Sequence, residues 1–123
     1  MGKKEWILKN KSYLFAVKIV RLAHFLQQEK KEFVLSKQVL KSGTSVGALV
    51  REAEFAQSDA DFISKLSISL KEANETMYWL SLLKDTDYLE ENLYNNLLMD
   101  GNELVNMLVP SINTMKNKKT LNP

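Results

Sequence analysis

Few side chains in this sequence are of the types that catalyse reactions or hold metal ions. His24 is the single histidine and there is no cysteine, so neither a two-histidine metal site nor a thiolate site can be built. The paired Glu-x-x-His motifs of di-iron bundles are excluded for the same reason. Glu52, Glu72 and Glu75 are the carboxylates that a helical pattern could bury, and acid–base chemistry through Glu72 or Glu75 is the enzymatic alternative left open. The sequence therefore predicts a protein that is not an enzyme and needs no cofactor.

Basic residues at the start of the chain give a better indication of function. In the first 34 positions eight bases face three acids, a net charge of +5 in a chain whose total is +2. Lysine and arginine neutralise phosphates, and the aromatic residues among them, Tyr13, Phe15 and Phe25, could stack on unpaired bases. We therefore predict RNA or DNA binding through these cations: Lys3, Lys4, Lys9, Lys11, Lys18, Arg21, Lys30 and Lys31.

An opposite imbalance of charge favours an alternative partner. From Asp59 to Tyr88 three bases face six acids, a net charge of −3. Because the total charge is close to zero, the chain could instead be a protein–protein interaction scaffold that has no contact with nucleic acid.

Length and hydropathy limit the class of protein. The 123 residues fit one domain, 1–123. No apolar run approaches the roughly 20 residues that span a bilayer. The basic start is not followed by an uncharged signal core, because Lys18 and Arg21 interrupt it. We expect a cytoplasmic protein without membrane contact.

Apolar residues recur with the period of an α-helix in four segments. The predicted helices cover about Lys11–Gln28, Ser36–Gln57, Ser58–Lys84 and Asp87–Met115, and the polar tail 116–123 is expected to fray. Each predicted helix has one inward stripe. From the first helix to the fourth the stripes are Phe15, Ile19, Leu22 and Leu26; Val39, Val46, Leu49, Val50 and Ala53; Phe62, Leu66, Leu70, Ala73, Met77 and Leu80; Leu93, Leu97, Leu104, Leu108 and Met115.

Helix start signals support these boundaries. Ser58 with Asp61, and Asp87 with Glu90, read as capping boxes for the third and fourth helices. No stretch alternates with the period of a strand, and the connections are short. The predicted fold class is all-α, an antiparallel up-down-up-down four-helix bundle.

The second helix contains unusually small residues. Gly43 and Gly47 form a groove on one side of it, although a glycine inside a helix costs roughly 0.5 to 1 kcal/mol relative to alanine. Two interpretations stay open: the groove permits tight packing within the protomer, or it meets a neighbouring subunit.

Two predicted helices carry a second set of apolar residues away from the core stripe. A monomeric bundle needs one buried stripe per helix, so the second set predicts a homo-oligomer. Arg51 could pair with Glu72 or Glu75 across the subunit boundary, and a salt bridge within the protomer is the alternative. Leu83 lies at the edge of the set. The predicted interface residues are Thr44, Ala48, Arg51, Phe55, Ile68, Glu72, Glu75, Trp79 and Leu82.

A central block of sequence resembles the bacterial four-helix-bundle family named after proteins encoded in intervening sequences of 23S ribosomal RNA. The block is SGTSVGALVREAEFAQSDADFISKLSISLKEANETMYWLSLL, and its matching features are Ser45-Val46-Gly47-Ala48, Arg51-Glu52-Ala53, Asp61-Phe62-Ile63, Lys71-Glu72-Ala73, Glu75-Thr76 and Tyr78-Trp79-Leu80.

The resemblance implies an up-down bundle that assembles into a ring, commonly a homopentamer. A protein of similar fold, the accessory variability protein of diversity-generating retroelements, is basic and binds nucleic acid and a reverse transcriptase. The motif residues would then be assembly residues. One departure is Leu49, where the family usually carries asparagine.

Overall fold

The chain folds into four helices packed side by side. The computed structural model describes residues 6–121, with side chains as far as residue 118. The helices are α1 (Ile7–Gln28), α2 (Leu35–Glu54), α3 (Asp59–Asp85) and α4 (Glu91–Leu121), and there is no strand between residues 6 and 121. Each helix packs against the next in the chain, and α4 closes the bundle by a less extensive contact with α1. The predicted four-helix bundle is confirmed.

The predicted inward stripes form most of the core, but α2, α3 and α4 each contain a predicted core leucine that is not fully buried. Leu49 and Leu70 are half-buried rather than buried, and Leu93 is exposed. The prediction that Leu83 edges an outward face is wrong, because it is fully buried in the core. A fully buried leucine contributes roughly 1.5 to 3 kcal/mol of transfer free energy, so these stripes dominate stability. The largest fully buried side chains include Phe15, Leu8, Ile19, Leu26, Leu66, Leu80, Leu83, Leu97, Leu104 and Leu108.

A buried glutamate organises the turn between α1 and α2. The backbone N–H of Glu32 donates to the carbonyl of Leu26 at 2.9 Å. Its carboxylate accepts hydrogen bonds from the backbone N–H groups of Val34, Leu35 and Ser36 at 3.2, 2.9 and 2.7 Å. Glu32 therefore satisfies the donors at the start of α2 and places a negative charge at the positive end of the helix dipole.

One of the two predicted capping boxes is confirmed. The Ser58 hydroxyl accepts from the N–H of Asp61 at 3.0 Å, and the Asp61 carboxylate accepts from the N–H of Gln57 at 3.1 Å. The box predicted at Asp87 is wrong. Asp87 has a φ of 69° and closes α3, while α4 begins four residues later at Glu91. A left-handed residue ends a helix because it turns the chain out of the helical path.

Two helices are longer than predicted. α1 begins at Ile7 rather than Lys11, which brings Leu8 into the core, and α4 runs to Leu121 with Pro110 inside it. None of the helices in the described chain is both long and apolar enough to cross a bilayer.

Candidate functional site

The small residues of α2 serve the contact with α1. A Cβ atom added to Gly43 would lie 2.8 Å from Cγ1 and Cγ2 of Ile19, and one added to Gly47 would lie 3.1 Å from the carbonyl oxygen of Ser12. Both glycines let the two helices approach closely. For these two positions the structure confirms packing within the protomer.

Buried hydroxyls join α2 to α3. The Thr76 hydroxyl is hydrogen-bonded to the Ser42 hydroxyl at 2.9 Å, and the Ser69 hydroxyl donates to the carbonyl of Val46 at 2.9 Å. All three hydroxyls are buried. Because small side chains occupy this contact, the two helix backbones can lie close together.

Three predicted interface residues, Thr44, Ala48 and Arg51, meet in a groove between α1 and α2. The groove has a volume of about 320 Å³ and a mainly apolar lining. Phe55 lies beyond it, 76% exposed at the end of α2. We call this surface the α1–α2 groove; it is lined by Lys9, Tyr13, Ala16, Thr44, Gly47, Ala48 and Arg51.

The remaining predicted interface residues form a strip along α3. Ile68 is 42% exposed, whereas Trp79 is half-buried against the core. The indole N–H of Trp79 donates to the Glu75 carboxylate at 3.1 Å. Intervals of three or four residues place the members on one helix face. We call this surface the α3 strip; it comprises Ile68, Glu72, Glu75, Trp79 and Leu82.

The groove and the strip lie on opposite sides of α2. Lys65 lies about one helical turn before Ile68, the first residue of the strip, and its ammonium is 3.3 Å from the Glu52 carboxylate of α2. The strip therefore borders the contact between α2 and α3. Arg51 and Glu72 form no ion pair with any residue from 6 to 118. The protomer therefore carries a cation on one side of α2 and a carboxylate on the other, each without an ion-pair partner in the described part of the chain.

Three of the predicted nucleic-acid-binding lysines are paired with carboxylates. Lys9 lies 3.1 Å from Glu54 on α2. Two others bind α4: Lys11 lies 3.0 Å from Glu103, and Lys18 lies 2.6 Å from Asp100. These pairs are partly exposed, so phosphate oxygens can compete for the lysines at modest cost.

The other predicted cations are exposed or lie outside the described residues. Arg21, Lys30 and Lys31 have no carboxylate partner among residues 6 to 118. Lys3 and Lys4 precede the described chain. Sequence reasoning missed Lys37 and Lys41, which are exposed on α2 and equally unpaired. The sequence feature that could have identified these two lysines is the absence of any acid between Glu32 and Arg51.

The predicted stacking aromatics divide between core and surface. Phe15 is buried and cannot reach a ligand, whereas Tyr13 and Phe25 are exposed. The Lys30 ammonium lies 5.9 Å from the centre of the Phe25 ring. Phe33, in the α1–α2 turn, is a further exposed aromatic that sequence reasoning missed.

The candidate acid–base side chains, His24, Glu72 and Glu75, form no buried group in the described part of the chain. His24 is exposed, and among the described residues no group of three or more His, Asp or Glu side chains could hold a metal ion. Glu75 is exposed and Glu72 is half-buried. Neither is the enclosed, desolvated carboxylate that acid–base chemistry favours.

Fold and surfaces define a small four-helix-bundle protein with two unlike faces beside α2. The sequence model of the 23S rRNA-intervening sequence proteins matches residues 4–110. The chain therefore belongs to this family, which confirms the resemblance.

A solved structure supports the same assignment. It is a protein of unknown function from the S23 ribosomal protein family of Bacteroides thetaiotaomicron VPI-5482, 56% identical in sequence. The match covers 85% of this chain and 97% of that chain, with a TM-score of 0.85. No functionally curated protein matches. Leu49, the position at which the sequence departs from the resemblance, is half-buried on α2.

Proposed function

We propose that this chain is a non-enzymatic cytoplasmic protein that binds nucleic acid through cations on α1, α2 and the turn between them. The observation that carries this proposal is a set of exposed cations that have no carboxylate partner within residues 6 to 118: Arg21, Lys30, Lys31, Lys37 and Lys41. The family and its S23 relative are named after ribosomal components, which is compatible with an RNA ligand.

The physics of such binding is counterion release. Each neutralised phosphate frees condensed cations, so log K falls with log salt at about 0.7 per phosphate for single strands and 0.9 for duplexes. Lys11 and Lys18 already bind carboxylates and would add less than the unpaired cations.

Fluorescence anisotropy with a labelled 12-nucleotide RNA across a salt series tests this role. Arg21→Gln combined with Lys37→Gln should weaken binding several-fold at low salt and reduce the salt slope by about 1.4 to 1.8. Lys71→Gln is the control, because Lys71 is exposed on α3. Wild-type protein that fails to bind at low salt would contradict the proposal.

The protein is also proposed to assemble into a homo-oligomer, with the α1–α2 groove of one copy against the α3 strip of the next. Charge complementarity supports this arrangement, since neither Arg51 in the groove nor Glu72 in the strip has an ion-pair partner among residues 6 to 118. The two surfaces differ, so their contact is head-to-tail, and such contacts form a ring when the rotation between copies closes and an open filament when it does not. Five copies is the number that the family resemblance implies.

A charge exchange tests the contact. Arg51→Glu or Glu72→Arg alone should lower the mass measured by light scattering behind a sizing column, and the two together should restore it. Glu29→Lys, a charge reversal at an exposed position outside both the groove and the strip, serves as the control. Ile68→Ala with Trp79→Ala should dissociate the assembly while circular dichroism stays helical. A monomeric wild-type protein at micromolar concentration would refute assembly.

The alternative function is a protein-interaction scaffold without nucleic acid. The observation that favours it is a cluster of exposed acids around the α3–α4 turn that form no ion pair with the described cations: Asp85, Asp87, Glu90 and Glu91. A protein partner captured equally well after nuclease treatment, by a protein that fails the RNA test, would favour the scaffold.

A further inference from the structure

The turn between α1 and α2 exposes apolar side chains that the bundle could have covered. Phe33 is 51% exposed and Val34 is 70% exposed. Phe25, in the last turns of α1, is 41% exposed. An exposed phenylalanine in a short turn contributes little to folding, and its ring is accessible to a ligand.

This turn is held rigidly. Lys31 has a φ of 53°, and Glu32 is anchored on both sides, by its N–H to Leu26 and by its carboxylate to three N–H groups of α2. Phe33 directly follows this anchor. Its backbone is therefore fixed before any ligand arrives, which lowers the entropic cost of binding.

The turn itself and its α2 side are cationic, whereas on the other side carboxylates of the α3–α4 turn line a groove together with Lys30. Lys30, Lys31 and Lys37 are exposed without carboxylate partners among residues 6 to 118. The negative charge of Glu32 is buried and bound to backbone N–H groups, so only Glu29 opposes the lysines at the surface of the turn. Aromatic rings thus lie among ammonium groups, as the Lys30 and Phe25 pair illustrates.

We infer that the α1–α2 turn binds unpaired nucleotides of a single strand, with the Phe33 ring stacking on a base and the lysines contacting phosphates. Bases in a duplex already stack on one another and offer no free face, whereas single strands do. This inference rests on the proposed nucleic-acid function and narrows it to single-stranded ligands.

Acidic residues limit the path of the strand. A groove of about 660 Å³ lies beside Phe25, and its lining includes Asp87, Glu90 and Glu91. These carboxylates repel phosphates. The strand therefore leaves the turn along α2, where Lys37 and Lys41 are exposed, and not across the groove.

Anisotropy with a labelled 12-nucleotide oligouridylate and with a 12-base-pair RNA duplex tests the inference. Phe33→Leu keeps the apolar volume but removes the π face, and should weaken single-strand binding about tenfold, within the range for losing one base–aromatic stack. Phe33→Tyr keeps the ring and should bind within about twofold of wild type. Val34→Ala is the control for lost apolar surface in the same turn, and circular dichroism checks that each variant is folded.

The outcomes separate the two claims. Wild-type protein that binds strand and duplex equally, with no change in Phe33→Leu, overturns the inference and leaves nucleic-acid binding standing. Wild-type protein that binds neither RNA at low salt overturns the proposed function and this inference with it. A selective loss in Phe33→Leu supports both.

Discussion

Helix α1 contacts α2 on one side and α4 on the other, and the two contacts are built differently. Toward α2 the approach is close: Gly43 leaves no room for a Cβ beside Ile19, and Gly47 lies against the backbone of Ser12. Toward α4 the contact is the least extensive in the bundle and is bridged by long side chains, Lys11 to Glu103 and Lys18 to Asp100.

This difference indicates where stability resides. Adding volume to a closely packed contact lowers the free energy of unfolding strongly, because the surrounding atoms cannot move away. Partly exposed ion pairs contribute roughly 0 to 1 kcal/mol each, because water solvates both partners almost as well. We therefore expect substitutions between α1, α2 and α3 to change the free energy of unfolding more than those between α1 and α4.

The largest effect is expected for Gly43→Val. Its side chain would overlap Ile19, where even a Cβ lies at 2.8 Å, so the free energy of unfolding should fall by about 3 kcal/mol. Urea denaturation followed by circular dichroism measures the change. Gln38→Val, on the exposed face of the same helix, is the control for β-branching and should change stability by less than about 0.5 kcal/mol. An unchanged midpoint in Gly43→Val would mean that α1 and α2 lie further apart.

An intermediate effect is expected at the contact between α2 and α3. Thr76→Val removes the hydroxyl that binds Ser42 at 2.9 Å, leaving a buried polar atom with only its 3.4 Å contact to the Val39 carbonyl. The expected loss is about 1 to 2 kcal/mol by urea denaturation.

A double variant sharpens that result. Adding Ser42→Ala removes the orphaned hydroxyl and should recover most of the loss, because deleting both partners of a hydrogen bond is nearly neutral. Additive losses in the double variant would show that the two hydroxyls do not interact.

The smallest effect is expected at the seam between α1 and α4. Lys18→Met keeps the apolar stem but removes the contacts with Asp100 and Asn96, at 2.6 and 3.1 Å. Unfolding free energy should fall by less than about 1 kcal/mol, and the difference should shrink in high salt. Lys71→Met is the control, because Lys71 is exposed and forms no ion pair with a residue from 6 to 118. A loss above about 2 kcal/mol in Lys18→Met would make this seam as important as the glycine contact.

The architecture was predictable because apolar spacing alone defines it. Phe15, Ile19, Leu22 and Leu26 repeat with a helical period and are all buried. The capping box at Ser58 also follows from local chemistry, since Asp61 is within reach in any helix that starts there. Family membership followed from motifs in α2 and α3.

The width of the buried face of α3 was harder to predict. The predicted inward stripe is buried at Phe62, Leu66, Ala73 and Leu80, but apolar residues on both flanks leave its edge undefined, and Leu83, predicted at the edge of the outward set, lies in the core. The deciding contacts are the hydroxyls of Ser69 and Thr76 against α2. They depend on the distance between two helices, which a one-dimensional pattern does not contain.

Ion pairs between distant residues are likewise not contained in a sequence pattern. The excess of bases in the first 34 residues is visible in sequence, but its partial neutralisation is not, because Lys11 and Glu103 are 92 positions apart in the numbering. Glu32 is one of the three acids in that count, and the structure shows it to be a buried helix cap. Only the folded chain shows which cations remain for a ligand.

The order of helix contacts also bears on how quickly the chain folds. The three extensive contacts join helices that follow one another, and only the seam between α1 and α4 joins distant parts of the chain. Local contacts close with little loop entropy, so a bundle of this topology folds on the microsecond to millisecond scale, and its most distant pairing forms late. φ-values near zero at Leu104, which lies beside α1, with larger values at Val46, would show that the seam between α1 and α4 forms after the contacts of α2.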